Sequence, residues 1–368
     1  MLRAVTQRRP YTQTQPLAVE TVELGTPRAG ELLLRIEACG VCHSDISVVD
    51  GSRIRPLPMA LGHEAAGVVE DVGPGVLDVQ RGDHVVLAFA PSCGRCPECG
   101  SGRPALCVPG AAANGRGELL HGPSLLRDRG GQTLFHHLGI SGFAQHAVVA
   151  RESAVVIPPD VPFETAALFG CAVLTGVGAV LNSARVQPGQ SVAVFGLGGV
   201  GLAAVMGAAL ANAARIVAVD PLPAKRQTAL ELGASEALAP EQAAELLKQT
   251  GGVDYAFEAA GVPAVLEAAF GALKRGGTAV AIGLPHPSKT ATLPALAFAG
   301  EGKSLLGCYM GAAAPARDIP RYLALWRAGR LPVEKLQSGA LPLARINEAF
   351  EQLASGAAVR QVILPHAA

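Results

Sequence analysis

The feature that most constrains the fold is a glycine-rich turn, FGLGGVG at residues 195–201, between an apolar run and an alanine-rich run. A G-x-G-x-x-G pattern after a strand (191–195) and before a helix (200–211) is typical of a βαβ unit that binds a dinucleotide. Gly196 permits the tight turn, Gly198 lets the backbone approach a pyrophosphate, and Gly201 allows the helix to pack on the strand. The helix N-terminus would stabilise the phosphates.

An aspartate follows the next predicted strand, at residues 215–219. Asp220 can accept hydrogen bonds from a ribose 2′-hydroxyl and would repel a 2′-phosphate. The next residue is Pro221 rather than an arginine, so we predict NAD rather than NADP. Lys225 could reach the same ribose. The alternative is a structural βα turn with an exposed aspartate.

Charge and composition exclude several classes of protein. The 368 residues include 30 basic and 30 acidic ones, which argues against a nucleic-acid or membrane-surface binder. Residues 192–211 are uncharged and apolar like a membrane span, but their glycines favour a strand that turns into a buried helix. No apolar segment follows the N-terminal arginines, so we expect no signal peptide and a cytoplasmic location.

Two kinds of segment divide the chain. Short β-branched runs between Gly and Pro, at 32–38, 67–72, 83–89 and 144–150, predict a mostly β domain. From residue 191, strands alternate with helices, which predicts a parallel doubly wound sheet. We therefore predict an α/β protein. Its β domain comprises residues 1–172 and 310–368, and its Rossmann domain comprises residues 173–309. Residues 111–141 are expected to form a long loop.

Four cysteines lie within fifteen residues, as Cys93, Cys96, Cys99 and Cys107. Four thiolates can close a tetrahedral shell, which predicts a structural zinc ion. Disulfides are disfavoured in a reducing compartment. A zinc module that reads DNA is a further alternative, but Glu98 offsets the positive charge of the nearby arginines. An iron–sulfur cluster is another, but the hydride chemistry that the cofactor site implies needs no such cluster.

Three further residues are dispersed along the chain: Cys42, His63 and Cys171. Spacing alone does not unite them, because buried cysteine is a routine core residue. Two thiolates and one imidazole are nevertheless a known ligand set for catalytic zinc, with a fourth position left for substrate.

These residues together resemble the zinc-dependent medium-chain alcohol dehydrogenase family, over essentially the whole chain. The resemblance is to the liver-type branch and also includes GHEAAG at 62–67, GGVD at 251–254 and the dipeptide VR at 359–360. It implies a GroES-like β domain that carries both zinc sites and a Rossmann domain that binds NAD. It also implies two Zn²⁺ per subunit, one catalytic and one structural.

The resemblance also implies roles for individual residues. Cys42, His63 and Cys171 match the catalytic zinc ligands, and the four clustered cysteines match the structural zinc site. Asp45 and Glu64 match positions beside the catalytic zinc, where Asp45 would orient His63. Ser44 matches the hydroxyl that contacts the bound alcohol.

Further matches concern the cofactor and the substrate. Positions near the pyrophosphate are matched by His43 and Arg360, and positions near the nicotinamide by Thr175 and Val200. The expected cofactor-binding set is His43, Thr175, Gly196, Gly198, Gly199, Val200, Gly201, Asp220, Lys225 and Arg360. The expected pocket residues are Phe89, Arg53, His137 and Leu138, where Arg53 would attract an acidic substrate or be an ordinary solvated arginine.

The implied activity is reversible NAD-linked oxidation of a primary alcohol, aromatic or of medium chain length, by hydride transfer from a zinc-bound alkoxide. A homodimer or homotetramer is expected, because residues 304–310 resemble the edge strand through which the family dimerises. Many members have a proton-passing histidine five residues after the first zinc cysteine. Ser47 stands there, so we expect a different pH dependence.

Two alternatives remain. One is a thiol-adduct (S-hydroxymethyl-type) formaldehyde dehydrogenase, although the acidic pocket residues of that branch are not visible at 52–58. The other is a non-catalytic NAD-binding zinc protein, against which the intact catalytic ligand set argues.

Overall fold

The computed structural model describes residues 1–367, which fall into two compact units. The first unit comprises Met1–Cys171, Ala314–Pro320 and Gln337–Ala368. The second comprises Ala172–Ala313 and Arg321–Leu336. The sequence-based division differs from this one at residues 172, 310–313 and 321–336, which group with the second unit.

Packing explains why residues 321–336 belong to the second unit. The side chains of Tyr322, Leu331 and Val333 are fully buried. The turn Val333–Leu336 contacts the helix Gly199–Leu210. This segment therefore completes the core of the second unit before the chain returns to the first.

The first unit is built on two β-sheets. Its central strand, Glu31–Gly40, has alternate residues fully buried, from Leu32 to Ala38, as expected for a strand with one face in the core. The larger sheet has seven strands, in the order Gly339–Pro342, Gln361–Leu364, Glu31–Gly40, Glu64–Val72, His84–Leu87 and Ala154–Ile157, with His146–Ala150 also paired to Glu31–Gly40. The smaller sheet has four, in the order Glu23–Leu24, Leu126–Arg127, Thr133–His136 and Met59–Ala60.

Helices and short helical turns connect these strands. They are Tyr11–Thr14, His43–Val49, Pro97–Gly100, Pro104–Leu106, Val108–Arg116, Arg151–Ser153, Phe163–Leu168, Leu343–Arg345 and Ile346–Ala354. The helix Pro315–Arg327 begins in the first unit and ends in the second.

The prediction of a loop at 111–141 was wrong. Val108–Arg116 is a helix with Pro109 in its first turn and Gly117 beyond its end at φ 68°. Leu126–Arg127 and Thr133–His136 then pair as an antiparallel ladder. Strands of two and four residues carry too little alternation to be recognised from sequence.

A continuous helical run, Phe163–Ala184, is long and apolar enough to cross a membrane by length and composition. In its apolar 18-residue stretch, 89% of the residues are buried within the protein, as in a core helix. The run contains two π-helical turns, at Phe169–Val173 and Ala179–Ala184, around the α-helical segment Leu174–Gly178.

The second unit contains a six-stranded parallel sheet with helices between the strands. Its strand order is Glu236–Leu238, Arg215–Val219, Ser191–Phe195, Val253–Glu258, Leu273–Ala281 and Ser304–Gly307. Its helices and helical turns include Gly199–Leu210, Pro223–Glu231, Pro240–Gln249, Pro263–Gly271, Ala295–Gly300, Met310–Ala312 and Val333–Leu336.

This strand order is that of the Rossmann fold, and the predicted fold class is confirmed. The first strand in sequence, Ser191–Phe195, lies between Arg215–Val219 and Val253–Glu258. The order of the strands reverses there, and ligands of such sheets bind outside the carboxyl ends of strands at that point. Residues 192–211, apolar like a membrane span, are this central strand, the glycine turn and the following helix.

Candidate active site and metal centres

The structure brings Cys42, His63 and Cys171 together from three separate segments. Their ligand atoms lie within 4.8 Å of one another, and Sγ of Cys171 is 3.5 Å from Nε2 of His63. All three side chains are buried. Two thiols and an imidazole within reach of one ion match the ligand set of a catalytic zinc, which leaves one coordination position open.

Strand pairing explains how two of these residues meet. Gly40, at the end of one strand, is the register partner of Glu64, at the start of the next. Cys42 and His63 lie just beyond these two ends, so the antiparallel ladder places them side by side. Cys171 lies in the π-helical turn Phe169–Val173, a type of irregularity that is frequent at functional sites.

The electrostatics of this cluster favour a thiolate. A hydrogen bond from Cys171, together with the positive charges of Arg360 and His63, lowers the pKa of the Cys42 thiol well below its usual range. The thiolate is the form of cysteine that binds metal. The pocket therefore favours the ligand form of Cys42.

Asp45 holds the imidazole ring of His63. Its Oδ1 is 3.1 Å from Nδ1 of His63, and its Oδ2 accepts the backbone N–H of Cys42 at 3.1 Å. Burial opposes the carboxylate charge, but His63 and His137 outweigh it and lower the pKa of Asp45 below its usual range. A carboxylate on one ring nitrogen fixes the tautomer and leaves the other nitrogen for a metal.

Glu64 and Arg360 form a buried ion pair beside the cluster. Nε of Arg360 is 3.3 Å from Oε2 of Glu64, and the Arg360 side chain also donates to the carbonyl of Val41 at 3.0 Å. Only 2% of Arg360 is exposed. The expected contact of Arg360 with a pyrophosphate stays a prediction, because in this structure its guanidinium faces Glu64 and the two thiols.

Two other predicted site residues lie beside the cluster. Oγ of Ser44 is 3.9 Å from Sγ of Cys42. The ring of Phe89 meets the ring of His63 edge to face, with centroids 5.7 Å apart. These contacts place a hydroxyl and an aromatic wall next to the candidate metal ligands.

The remaining predicted pocket residues differ in their surroundings. His137 is fully buried, with Nδ1 3.0 Å from Oδ1 of Asp45, so it is not the surface histidine that sequence alone allows. Leu138 is buried at φ 52°. Arg53 is half-buried, and its Nε has no hydrogen-bond partner among residues 1–367. Its role in substrate binding stays a prediction.

The expected effect of Ser47 on the pH dependence stays a prediction. The Ser47 hydroxyl donates to the carbonyl of His43 at 3.0 Å. The side chain of His43 is exposed.

The four clustered cysteines form a second arrangement that could hold a metal ion. The sulfurs of Cys93, Cys96, Cys99 and Cys107 all lie within 4.8 Å of one another. Cys107 Sγ accepts the backbone N–H groups of Cys93 and Gly110, at 3.2 and 3.4 Å. A backbone hydrogen bond to its sulfur lowers the pKa of Cys96 to about 6. All four are free thiols, and four sulfurs at these distances fit a closed tetrahedral zinc site.

The glycine-rich turn has the geometry that its sequence predicts. Gly196 has φ 91°, a conformation that favours glycine. A Cβ at Gly201 would lie 1.8 Å from the carbonyl oxygen of Gly196, so the helix can pack this closely only with glycine there. A Cβ at Gly198 would meet no atom of residues 1–367 within 4 Å. This open space at a helix N-terminus fits a pyrophosphate.

Asp220 is held in place by the backbone. Its Oδ2 accepts the N–H of Leu197 at 2.8 Å and its Oδ1 accepts that of Leu222 at 2.9 Å. Sequence reasoning missed Arg226, whose guanidinium donates to the carbonyls of Asp220 and Pro221 at 2.8 and 2.9 Å. Its position in the first turn of the helix that follows Asp220 is the signal that could have identified it.

The other predicted cofactor residues lie in the second unit near this turn or in its core, apart from His43 and Arg360. Thr175 is buried in the segment Leu174–Gly178, and Lys225 is half-buried at the start of the helix Pro223–Glu231. Their contacts with a cofactor stay predictions.

Two family models match the chain. Residues 28–160 match the alcohol dehydrogenase GroES-like domain, and residues 199–327 match the zinc-binding dehydrogenase model. The chain is 39% identical over 361 residues to an NDMA-dependent alcohol dehydrogenase from Amycolatopsis methanolica, across 96% of this chain and 97% of that protein.

It is 38% identical over 357 residues to an S-(hydroxymethyl)glutathione dehydrogenase from Synechocystis sp., across 95% of this chain and 96% of that protein. Among solved structures, benzyl alcohol dehydrogenase from Acinetobacter calcoaceticus is similar, with 32% identity and a TM-score of 0.88. That match covers 93% of this chain and 94% of the other.

Proposed function

Because the chain belongs to the zinc-dependent medium-chain alcohol dehydrogenases, which are oxidoreductases that use zinc and a nicotinamide cofactor, we propose that it oxidises a primary alcohol to the aldehyde with NAD. The reverse reaction uses the same site. The observation that carries this proposal is the buried set of Cys42, His63 and Cys171, with Asp45 behind the imidazole.

Each of these residues has a role in the proposed reaction. When bound, zinc supplies a Lewis acid for the alcohol oxygen, and NAD supplies the hydride acceptor. Cys42, His63 and Cys171 hold the metal. Ser44, 3.9 Å from Cys42 Sγ, would take the proton of the alcohol hydroxyl onto Oγ while it passes its own hydroxyl proton on to solvent, so that it stays neutral. The buried pair of Glu64 and Arg360 places a positive charge beside two thiols and limits their net negative charge.

The four-cysteine cluster holds a second, structural zinc in this proposal. Its backbone-to-sulfur hydrogen bonds support thiolates there. We expect two zinc ions per chain.

NAD is proposed rather than NADP because of Asp220. Two backbone N–H groups aim its carboxylate, and its remaining acceptor capacity suits the two hydroxyls of a ribose. A 2′-phosphate would bring a second negative charge against the same oxygens. Arg226 reaches backbone carbonyls instead, which supports this choice.

The substrate that we propose is aromatic or of medium chain length. Phe89 and Leu138 are apolar pocket candidates, and the similar protein from Acinetobacter acts, by its name, on benzyl alcohol. A second candidate is an S-hydroxymethyl thiol adduct, which the similarity to the Synechocystis enzyme favours. Against it stands the sequence SRIRPLP at 52–58, which has no acidic residue.

We also propose a homo-oligomer, formed through the edge strand Ser304–Gly307. All four of its residues are exposed, with Leu305 at 38% and Leu306 at 39%. An exposed apolar edge strand invites pairing with a second copy. A dimer or tetramer in the cytoplasm, where thiol ligands stay reduced, fits this arrangement.

The test is NADH formation by the zinc-replete protein with benzyl alcohol, hexan-1-ol, ethanol and S-hydroxymethylglutathione. We expect turnover of benzyl alcohol with NAD and none by Cys42→Ala. Turnover of the glutathione adduct alone would favour the second candidate. If none of the four alcohols is oxidised, the proposed activity is refuted. A higher kcat/KM with NADP than with NAD would refute the role of Asp220.

A further inference from the structure

One carboxylate oxygen beside the candidate catalytic zinc site is shared by three nitrogen atoms. Oδ1 of Asp45 lies 3.2 Å from the backbone N of Gly62, 3.1 Å from Nδ1 of His63 and 3.0 Å from Nδ1 of His137. Asp45, His63 and His137 are all at most 1% exposed. The carboxylate is therefore a junction between a proposed metal ligand and a second imidazole that binds no metal in the proposed function.

The ring of His137 is held in a fixed orientation. It stands perpendicular to the ring of His63, with centroids 5.2 Å apart. The backbone N–H of His137 donates to Oγ of Ser141 at 3.0 Å, and that hydroxyl donates to the carbonyl of Ala60 at 2.8 Å. This turn ties the histidine to the segment that precedes His63.

The same turn contains two strained residues. Leu138 and Ser141 have φ of 52° and 57°, in the left-handed region that non-glycine residues rarely adopt. Such strain persists only where the surrounding structure imposes it, and it concentrates at functional sites. Here the strained turn keeps the imidazole of His137 against Asp45.

The carboxylate beside Nδ1 determines which ring nitrogen of His137 carries a proton. Both ring nitrogens are buried and neither makes a well-aligned hydrogen bond among residues 1–367, but Nδ1 lies 3.0 Å from Oδ1 of Asp45. A proton on Nδ1 is attracted to that carboxylate, while a proton on Nε2 alone would set the Nδ1 lone pair against the carboxylate.

We propose that His137 is a positioning residue for the catalytic metal. It donates Nδ1–H to Asp45 and holds that carboxylate against Nδ1–H of His63, so that Nε2 of His63 faces the sulfurs of Cys42 and Cys171. The inference rests on the proposed function, because it requires a metal at Cys42, His63 and Cys171.

Loss of this donor should weaken metal retention. Partners that orient a metal-ligating histidine typically change metal affinity about 10- to 100-fold when removed. His137 acts through Asp45, which keeps its donors from Gly62 and Cys42. We therefore expect an effect at the lower end, about tenfold.

The experiment measures zinc release from the purified holoenzyme to a chromophoric chelator, alongside visible spectra of the cobalt-substituted protein. His137→Leu removes the donor. His137→Asn keeps an amide N–H near the position of Nδ1, and His137→Gln moves it to the position of Nε2. The matched control is His136→Leu, since His136 is equally buried but, unlike His137, has no ion-pair contact with a carboxylate among residues 1–367.

We expect wild type to release two zinc ions in two separate kinetic phases. Cys42→Ala should show only the phase that comes from the cysteine cluster. His137→Leu and His137→Gln should speed the other phase about tenfold and alter the cobalt spectrum. His137→Asn and His136→Leu should match wild type. If His137→Leu does not fold, the comparison of Asn with Gln decides.

The proposal is overturned if His137→Leu and His137→Gln release zinc at the wild-type rate, or if His137→Asn releases zinc as fast as His137→Gln. It is also overturned if His136→Leu accelerates the release of zinc from the proposed catalytic site. A wild-type protein that binds only the zinc of the cysteine cluster would instead refute the proposed catalytic site itself.

Discussion

Two glycines of the dinucleotide turn should respond in opposite ways to the same substitution. An added Cβ at Gly201 would lie 1.8 Å from the carbonyl oxygen of Gly196 and 2.9 Å from its carbon. An added Cβ at Gly198 would meet no atom of residues 1–367 within 4 Å, and its backbone, at φ −75° and ψ −174°, suits any residue. Gly201→Ala therefore tests packing within the protein, and Gly198→Ala tests space for the cofactor.

The expected magnitudes follow from these distances. Overpacking usually costs about 1–3 kcal/mol, and Gly201→Ala should reach about 3 kcal/mol or more because backbone atoms cannot rotate away. Gly198→Ala should leave the free energy of unfolding unchanged or raise it by up to about 1 kcal/mol, since alanine restricts the unfolded chain. It should weaken NADH binding at least about tenfold, because its methyl group fills the space where the pyrophosphate approaches the backbone.

The assay combines urea unfolding with NADH binding by fluorescence. Gly271→Ala is the control, because its Cβ also meets no atom of residues 1–367 and it lies at the end of another helix of the same unit. Like Gly198→Ala, it should leave the free energy of unfolding unchanged or raise it by up to about 1 kcal/mol, but it should leave NADH binding unchanged. The reasoning is refuted if Gly198→Ala binds NADH like wild type, or if it destabilises the protein as much as Gly201→Ala.

Three further predictions concern charge and metal. Arg360→Met should lower the free energy of unfolding by about 3 kcal/mol, because Glu64 stays buried without its ion pair. The double variant with Glu64→Gln should recover part of the loss in urea titrations, and no recovery would contradict the pairing. Burial lowers the pKa of His136 to about 3 from an ordinary 6.5, so between these pH values the unfolded chain binds a proton that the folded chain does not. The free energy of unfolding of wild type should therefore fall by about 1.4 kcal/mol per pH unit as the pH falls from 6 to 4, and His136→Leu should lack this contribution. If the free energies of unfolding of the two proteins change in parallel with pH, the reasoning is refuted. Cys99→Ala should lower the zinc content from two ions to one per chain while the catalytic site stays loaded, and elemental analysis that still finds two would contradict the cluster assignment.

Much of the second unit could be predicted from the sequence. Its strands and helices alternate in hydrophobic character, and the turn at 195–201 has a spacing that only a few local structures satisfy. The strand Ser191–Phe195 and the helix Gly199–Leu210 accordingly lie within a residue or two of their predicted limits.

The first unit was harder to predict because its short strands depend on distant partners. The pairing of Met59–Ala60 with Thr133–His136 brings together residues more than seventy positions apart, and neither strand has a recognisable period. The segment 321–336 was also placed with the wrong neighbours, because its apolar helix pattern does not specify which core will bury it.

The candidate site shows a similar division. The spacing of the four clustered cysteines is enough to predict a zinc site, whereas Cys42, His63 and Cys171 could be grouped only through the family resemblance. The contact of His137 with Asp45 had no signal in the sequence, because a histidine beside a short strand has the same pattern on the surface as in the core.

The π-helical turn at Phe169–Val173 has a consequence for insertions and deletions. A π turn holds one residue more than an α turn, and each α-helical residue rotates the chain by about 100°. Deleting one residue of this turn would join the α-helical segments Phe163–Leu168 and Leu174–Gly178 into one regular helix but would rotate Cys171 relative to one of them. The thiol of Cys171, one of the three proposed metal ligands, would then point away from Cys42 and His63, although no cysteine or histidine had changed. Alignment gaps within these five residues should therefore be as informative about loss of the metal as substitution of Cys171 itself.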